Sequence, residues 1–378
     1  MESLDDYYSE LAYHYSRSEN TEKAIEYLSL AGHQAVQRSA NEEAVRFLSA
    51  ALDLLRTQPD SPERTSRELR LLTVLGPPLI AVRGFTAPEV EQVYSRARQL
   101  CLQSGGNAEL FAILWGQWLS YFVRADYRNG REIAEQCLQV AETLHDPSLL
   151  LLFRLGLGAT LLCCGELSMA QQHLQQACVL EDPTQHQSLT LTFGFAPGII
   201  WRCWASYTLW FLGYPDQAWR LAREALTLAQ QLDHPQTLAN AIATVATLGS
   251  CSGESQAVLD QVNALLALSD AQDLVYWVAL GQVFQGWALM KHDHMATGRN
   301  QLLSGLEELQ MTGAELLRPH YLGLLAEGYL QSDQLTEAVQ AVEQALHFVE
   351  KNGERVEEAE LYRLKGELLL MQASKLRD

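Results

Sequence analysis

The stretch Trp204–Pro235, WASYTLWFLGYPDQAWRLAREALTLAQQLDHP, decides the reading of this chain. Two apolar helical patterns meet at Leu212-Gly213-Tyr214-Pro215. The first carries Trp204, Leu209, Trp210 and Leu212. The second carries Ala218, Leu221, Ala222, Ala225, Leu226 and Ala229. Ala218 and Ala225 lie two helical turns apart and share a face. Small residues there let one helix approach another closely. A glycine past one pattern and a proline opening the next are stop and start signals. The stretch predicts a helical hairpin.

The pattern recurs. Paired small residues mark Ala134 and Ala141, Ala170 and Ala177, Ala218 and Ala225, Ala257 and Ala264, Gly298 and Gly305, and Ala338 and Ala345. Their first members are spaced 36, 48, 39, 41 and 40 residues. A period near 40 is the mark of stacked hairpins of tetratricopeptide type, each somewhat longer than the roughly 34-residue unit. The long interval predicts an insertion of about eight residues near 182–197, where DPTQHQ and GFAPG read as loop. Ala24 and Ala31, then Ala44 and Ala51, extend the motif towards the N-terminus. A first helix over Leu4 to Ser16 is expected, and a break or kink at Gly76-Pro77-Pro78. Gly105-Gly106 should stop a helix opened at Pro88. No Ser/Gly-rich linker divides the chain. The expected fold is all-α, a single tetratricopeptide-like α-solenoid over 1–378. Hairpins over 1–105 are divergent, those over 106–353 regular, and 354–378 is a C-terminal helix without a partner.

Composition narrows the function classes. Apolar residues make up 48% of 378, enough for a continuous core. Net charge is −19, and only five lysines occur: Lys23, Lys291, Lys351, Lys365 and Lys375. Such a chain is repelled by phosphate backbones and anionic membranes, so neither nucleic acid nor membrane is expected as partner. The seven cysteines are odd in number and form no C-x-x-C, which predicts a reducing, cytoplasmic setting. The N-terminal MESLDDYYSEL is too polar for a signal peptide. Leu149 to Cys164 and Leu189 to Tyr214 are apolar but contain Arg154 and Arg202, and read as buried helices.

Catalytic motifs are sparse. None of the lysines follows a glycine, so the G-K-[ST] of a phosphate-binding loop is missing. GSCSG, Gly249 to Gly253, has the outline of a nucleophile elbow around Cys251. The residues before it read as helix, whereas an elbow needs a strand, so the plainer reading is a turn with a small buried cysteine. An enzyme using Cys251 would require that thiol to be exposed with a depressed pKa. His292-Asp293-His294 could offer two metal ligands, yet it lies in a turn without further ligands beside it. No catalytic, cofactor or metal residue is assigned. The eight tryptophans fall mostly on first helices of hairpins, which is where core aromatics belong. Trp201, Arg202, Trp204, Arg154, Arg318 and Trp277 are the candidates for gripping a partner on the concave face, since aromatic and arginine side chains carry most binding energy.

Four segments point further: GFTAPEVEQVYSRARQLC (Gly84 to Cys101), FGFAPGIIWRCWASYTLWFLGYPDQA (Phe193 to Ala218), TGAELLRPHYLGLLAEGYL (Thr312 to Leu330) and GERVEEAELYRLKGELLL (Gly353 to Leu370). Together they resemble the C-terminal tetratricopeptide region of bacterial AAA/STAND-type ATPases, often fused to class III adenylate/guanylate cyclase domains. One departure is Ala196, where that family more often has Asp. The resemblance implies a sensor or scaffold arm, binding a protein or peptide, including its own ATPase/cyclase domain in cis or trans. The alternative is a small-molecule effector domain like the solenoids of maltose-activator-like transcription regulators. An apolar stripe is expected on the last helix, which makes a dimer through it a further expectation.

Overall fold

The structure is a computed structural model that describes residues 7–104 and 108–375. The start of the first expected helix and the Gly105-Gly106 stop lie outside the described residues. Among these, nineteen α-helices and no strand occur. The N-terminal part comprises α1 (Tyr8–Ser16), α2 (Thr21–Gln37), α3 (Asn41–Arg56), α4 (Pro62–Arg83) and α5 (Pro88–Ser104). Two hairpins follow, α6 (Ala108–Val123) with α7 (Tyr127–Leu144), and α8 (Pro147–Cys163) with α9 (Leu167–Val179). After the short α10 (His186–Phe193) come α11 (Pro197–Phe211) with α12 (Pro215–Leu232), and α13 (Pro235–Ser252) with α14 (Ser255–Ala271). The last are α15 (Val275–Lys291) with α16 (Met295–Met311), α17 (Arg318–Gln331) with α18 (Leu335–Asn352), and α19 (Glu358–Lys375).

The helix ends follow local chemistry. Asn20, Ser61, Asp126 and Asp146 each accept a backbone N–H of the turn they open, which satisfies a donor the helix cannot. Prolines occupy first turns at Pro62, Pro147, Pro197, Pro215 and Pro235, where their missing N–H costs nothing. Pro77 and Pro78 do not break α4. Leu79, Ile80, Ala81 and Val82 beyond them are all buried, and that packing carries the helix through.

Left-handed turn residues reveal the true register. Ala125, Gly165, Gly213, Gly253, Asp293 and Asp333 all have positive φ, at intervals of 40, 48, 40, 40 and 40 residues. The matching close-packing positions are Gly130, Ala170, Ala218, Val258, Gly298 and Ala338, every one buried. Two expected pairs therefore shift. Ala257 and Ala264 are exposed, and Val258 and Leu265 hold their places in the core. Around α7 the repeat mark is Gly130 with Cys137, although Ala134 and Ala141 are buried as well. The single long interval is accounted for by α10, eight residues long. Within the segment read as loop, His186–Phe193 is thus helical, with Phe193 anchored in the core, while residues 194–196 are non-helical.

Successive first helices touch one another: α6 and α8, α8 and α11, α11 and α13, α13 and α15, α15 and α17, α17 and α19. Each second helix packs between the first helices on either side. First helices therefore form the inner layer. The superhelix then closes on itself. Val123 O, at the end of α6, accepts from Glu315 N at 2.8 Å and Leu316 N at 3.0 Å. One repeat on, Cys163 O, at the end of α8, accepts from Arg355 N at 2.8 Å and Val356 N at 3.3 Å. Carbonyls that a helix end leaves unpaired are thus capped by loops five hairpins further along the chain. From the N-terminal side Phe85 stacks on Phe195 and sits edge-on to Tyr276 of α15.

Candidate functional site

The interior holds an aromatic wall rather than an open groove. Trp115 and Trp118 stack at 4.5 Å, Trp118 on Phe122 at 4.9 Å, and Trp204 meets Phe122 edge-on at 5.1 Å. The indole N–H groups of Trp115, Trp118 and Trp277 are used inside the fold. Trp115 donates to Phe193 O at 3.2 Å and Trp118 to Thr160 Oγ1 at 3.1 Å, while Trp277 donates to Gln236 Oε1. Buried tryptophans need such partners. The cavity these rings enclose with Phe85, Phe195 and Tyr276 is about 60 Å³, far below the roughly 300–1,000 Å³ of small-molecule pockets.

The six sequence candidates scatter. Trp204 and Trp277 line that aromatic cavity. Trp201 and Arg202 do not reach it. Both bind Glu181, Trp201 Nε1 at 2.9 Å and Arg202 Nη1 at 2.6 Å, with His186 Nε2 at 3.0 Å. Burial alone would push the Glu181 carboxyl up, but His186, Arg202 and Trp201 outweigh it and hold it below the usual range. This node clamps the α9–α10 connection onto α11. Arg154 pairs with Glu142 at 3.0 Å and bonds Gln176. Arg318 is buried over the Phe348 ring, beside Glu315 and Gln310. Each arginine has a partner within the chain, although Arg202 Nε and Arg318 Nε and Nη1 are buried without a hydrogen bond.

A wider opening lies elsewhere. A cleft of about 470 Å³ forms where the C-terminal ends of α11 and α13 face the first turns of α17 and α19. Trp210 and Phe211 supply an apolar wall, and Glu327, Glu360 and Arg363 line it with charge. Ser250, Cys251, His320 and Glu357 line it as well. Lys291 pairs with Glu327 at 2.9 Å and Arg363 with Glu360 at 2.6 Å. His320 Nδ1 is 2.9 Å from Glu357 Oε1, and its Nε2 is 3.0 Å from Ser250 Oγ. Of these four, the sequence pattern marks only Cys251. His320 and Glu357 lie in separate repeats, and no linear spacing signals their convergence. Cys251 sits on the last turn of a helix, half-buried. Burial, with Glu357 beside it, pushes its thiol well above the usual range. The condition set for a Cys251 nucleophile is not met.

No family model matches the chain. An uncharacterized protein of Rhizobium meliloti (strain 1021) is 23% identical over 360 residues, covering 94% of this chain and 35% of that protein. The chain spans about a third of the length of that curated relative. Among solved structures it is similar to a Rap protein complexed with competence and sporulation factor: TM-score 0.54, 10% identity, 92% of this chain and 99% of that one. The apo form of RapI gives TM-score 0.53 at 12% identity, over 76% and 97%. A STAND protein with a tetratricopeptide repeat sensor from Pyrococcus horikoshii gives 0.42 at 14%, over 94% and 61%. At such identities the likeness is one of fold. The chain is an all-α solenoid of tetratricopeptide type. Among the described residues no helix is long and apolar enough to cross a membrane.

Proposed function

We propose that this chain is a regulatory, non-catalytic interaction solenoid, continuous over its length, that binds a protein or peptide segment in the cleft between α11, α13, α17 and α19. The observation that carries the reading is that cleft, about 470 Å³, open and framed by four inner-layer helices. The sequence resemblance supports an arm of a cytoplasmic signalling ATPase or nucleotide cyclase, with the partner being that protein's own catalytic part. The Rap protein of similar fold is found complexed with competence and sporulation factor, which makes a bound partner consistent with the fold. The effector-binding alternative calls for a closed cavity lined by Trp201, Trp204 and Arg202; Trp201 and Arg202 bind Glu181 and Trp204 lines a cavity of about 60 Å³, which favours the protein-partner reading. On the last helix Tyr362, Leu369 and Leu370 are exposed, and dimerisation through them belongs to the same proposal. Light scattering that finds only monomer would remove that part.

The test is binding in trans. The isolated chain should show neither ATP hydrolysis nor cyclic nucleotide formation. It should bind the ATPase or cyclase segment of its own or the neighbouring reading frame by calorimetry. Ala359 is exposed at the cleft mouth. Ala359→Trp should weaken that binding by more than about tenfold, as loss of a central contact does. Turnover by the isolated chain, or unaltered binding by the variant, overturns the reading.

A further inference from the structure

At the floor of the cleft three side chains of different chemistry converge. Cys251 Sγ, a ring nitrogen of His320 and a carboxylate oxygen of Glu357 all lie within 4.8 Å of one another. They come from the last turn of α13, the first turn of α17 and the turn before α19. His320 and Glu357 are buried and Cys251 is half-buried. Among the described residues this is the one such group of three.

Ser250 Oγ lies 2.7 Å from Thr247 O and 3.0 Å from His320 Nε2, so the fold already holds that ring nitrogen. His320 Nδ1 faces Glu357 Oε1 at 2.9 Å, and Cys251 Sγ completes the group. A thiol adds nothing to a histidine–carboxylate contact, but once deprotonated it is a strong third ligand for a metal ion.

We propose that Cys251, His320 and Glu357 bind a divalent ion of the zinc class, with His320 coordinating through Nδ1. Sulfur, nitrogen and oxygen together suit zinc and disfavour magnesium or calcium, which take oxygen. Zinc bonds of roughly 2.0–2.3 Å put ligand atoms about 3.3–3.8 Å apart in a tetrahedron. The three atoms, now within 4.8 Å of one another, must draw together to that spacing on binding. Ser250 then holds the far ring nitrogen, the part an outer partner plays for a metal-bound histidine. Lys291 and Arg363 are engaged by Glu327 and Glu360, so neither neutralises Glu357. The cleft leaves the fourth position to water or to a donor from a partner. This site does not depend on the interaction reading.

The test uses the whole chain, stripped with a chelator and titrated with zinc in excess magnesium. One zinc per chain should bind. Cobalt in its place should give a thiolate-to-cobalt charge-transfer band and the d–d absorption of tetrahedral coordination. Cys251→Ser should abolish the band and weaken zinc by more than about tenfold, with helical circular dichroism unchanged. Glu357→Gln should weaken zinc while keeping the band, and serves if the cysteine variant misfolds. No zinc bound by the wild type overturns the proposal. So does wild-type affinity in Cys251→Ser, or a cobalt complex without the thiolate band. The contact of His320 with Glu357 is then a hydrogen-bonded pair only.

Discussion

Glu354 lies buried at the closure seam, where Tyr127 donates its hydroxyl to it and Leu317 its N–H at 3.3 Å. Burial raises its carboxyl to about 8; the bonds from Tyr127 and Leu317 oppose this, and the charges of Glu357 and Glu315 add to it. A folded value above the unfolded one means the folded state holds the proton longer. Stability from this group is full below about 4.5 and is lost as pH rises through about 8. His234, whose side chain caps α13, works oppositely. Its burial lowers it to about 4, so stability is lost as pH falls from about 6.5 through that value. The two slopes oppose each other between about 4.5 and 6.5, and above that range His234 no longer opposes the loss at Glu354. Chemical denaturation should show stability falling by on the order of a few kcal/mol between about pH 6.5 and 8. Glu354→Gln should flatten that decline. An equal decline in the variant would place its origin elsewhere.

Helix packing sets the next prediction. Gly286 of α15 and Gly298 of α16 face each other so closely that a Cβ on Gly298 would lie 2.5 Å from Gly286 O and 2.7 Å from Met290 N. A Cβ on Gly286 would lie 2.5 Å from Leu302 N. These neighbours are backbone and cannot turn aside. Gly298→Ala should cost about 1–3 kcal/mol or more in urea denaturation, the range for overpacking. Gly213, with φ +84 and nothing within 4 Å, has space for a side chain but a backbone that disfavours one. Gly213→Ala should cost less, about 1 kcal/mol. The reverse ranking would refute the packing account. The small-residue rule served well at Ala170, Ala218 and Ala338 and misled at Ala257 and Ala264. Alanine is apolar enough for the core and small enough for the surface, so composition alone cannot orient α14.

Closure distinguishes this molecule from an open array. In a linear solenoid each repeat contacts its neighbours, and distant repeats unfold independently. Here α4 touches α15, and Phe85 locks between Phe195 and Tyr276. The wild type should melt in one transition in calorimetry. Phe85→Ala should cost about 3–5 kcal/mol and split or broaden that transition as the N-terminal helices uncouple. A single sharp transition in the variant would show that closure does not depend on this residue.

The helical class, the hairpin pattern and the period near 40 were legible in the chain, because apolar periodicity and turn residues are local properties. The inner lining was not. Trp201 and Arg202 read like partner contacts, yet they serve Glu181, which sits on another element. The convergence of Cys251 with His320 and Glu357 joins three repeats across the superhelical seam. Its pitch is the sum of small rotations between hairpins, a quantity no local pattern carries. Trp204–Pro235 shows the division. Its hairpin follows from its own residues, while the edge-on contact of Trp204 with Phe122 exists only because the superhelix wraps its aromatic rings into one core.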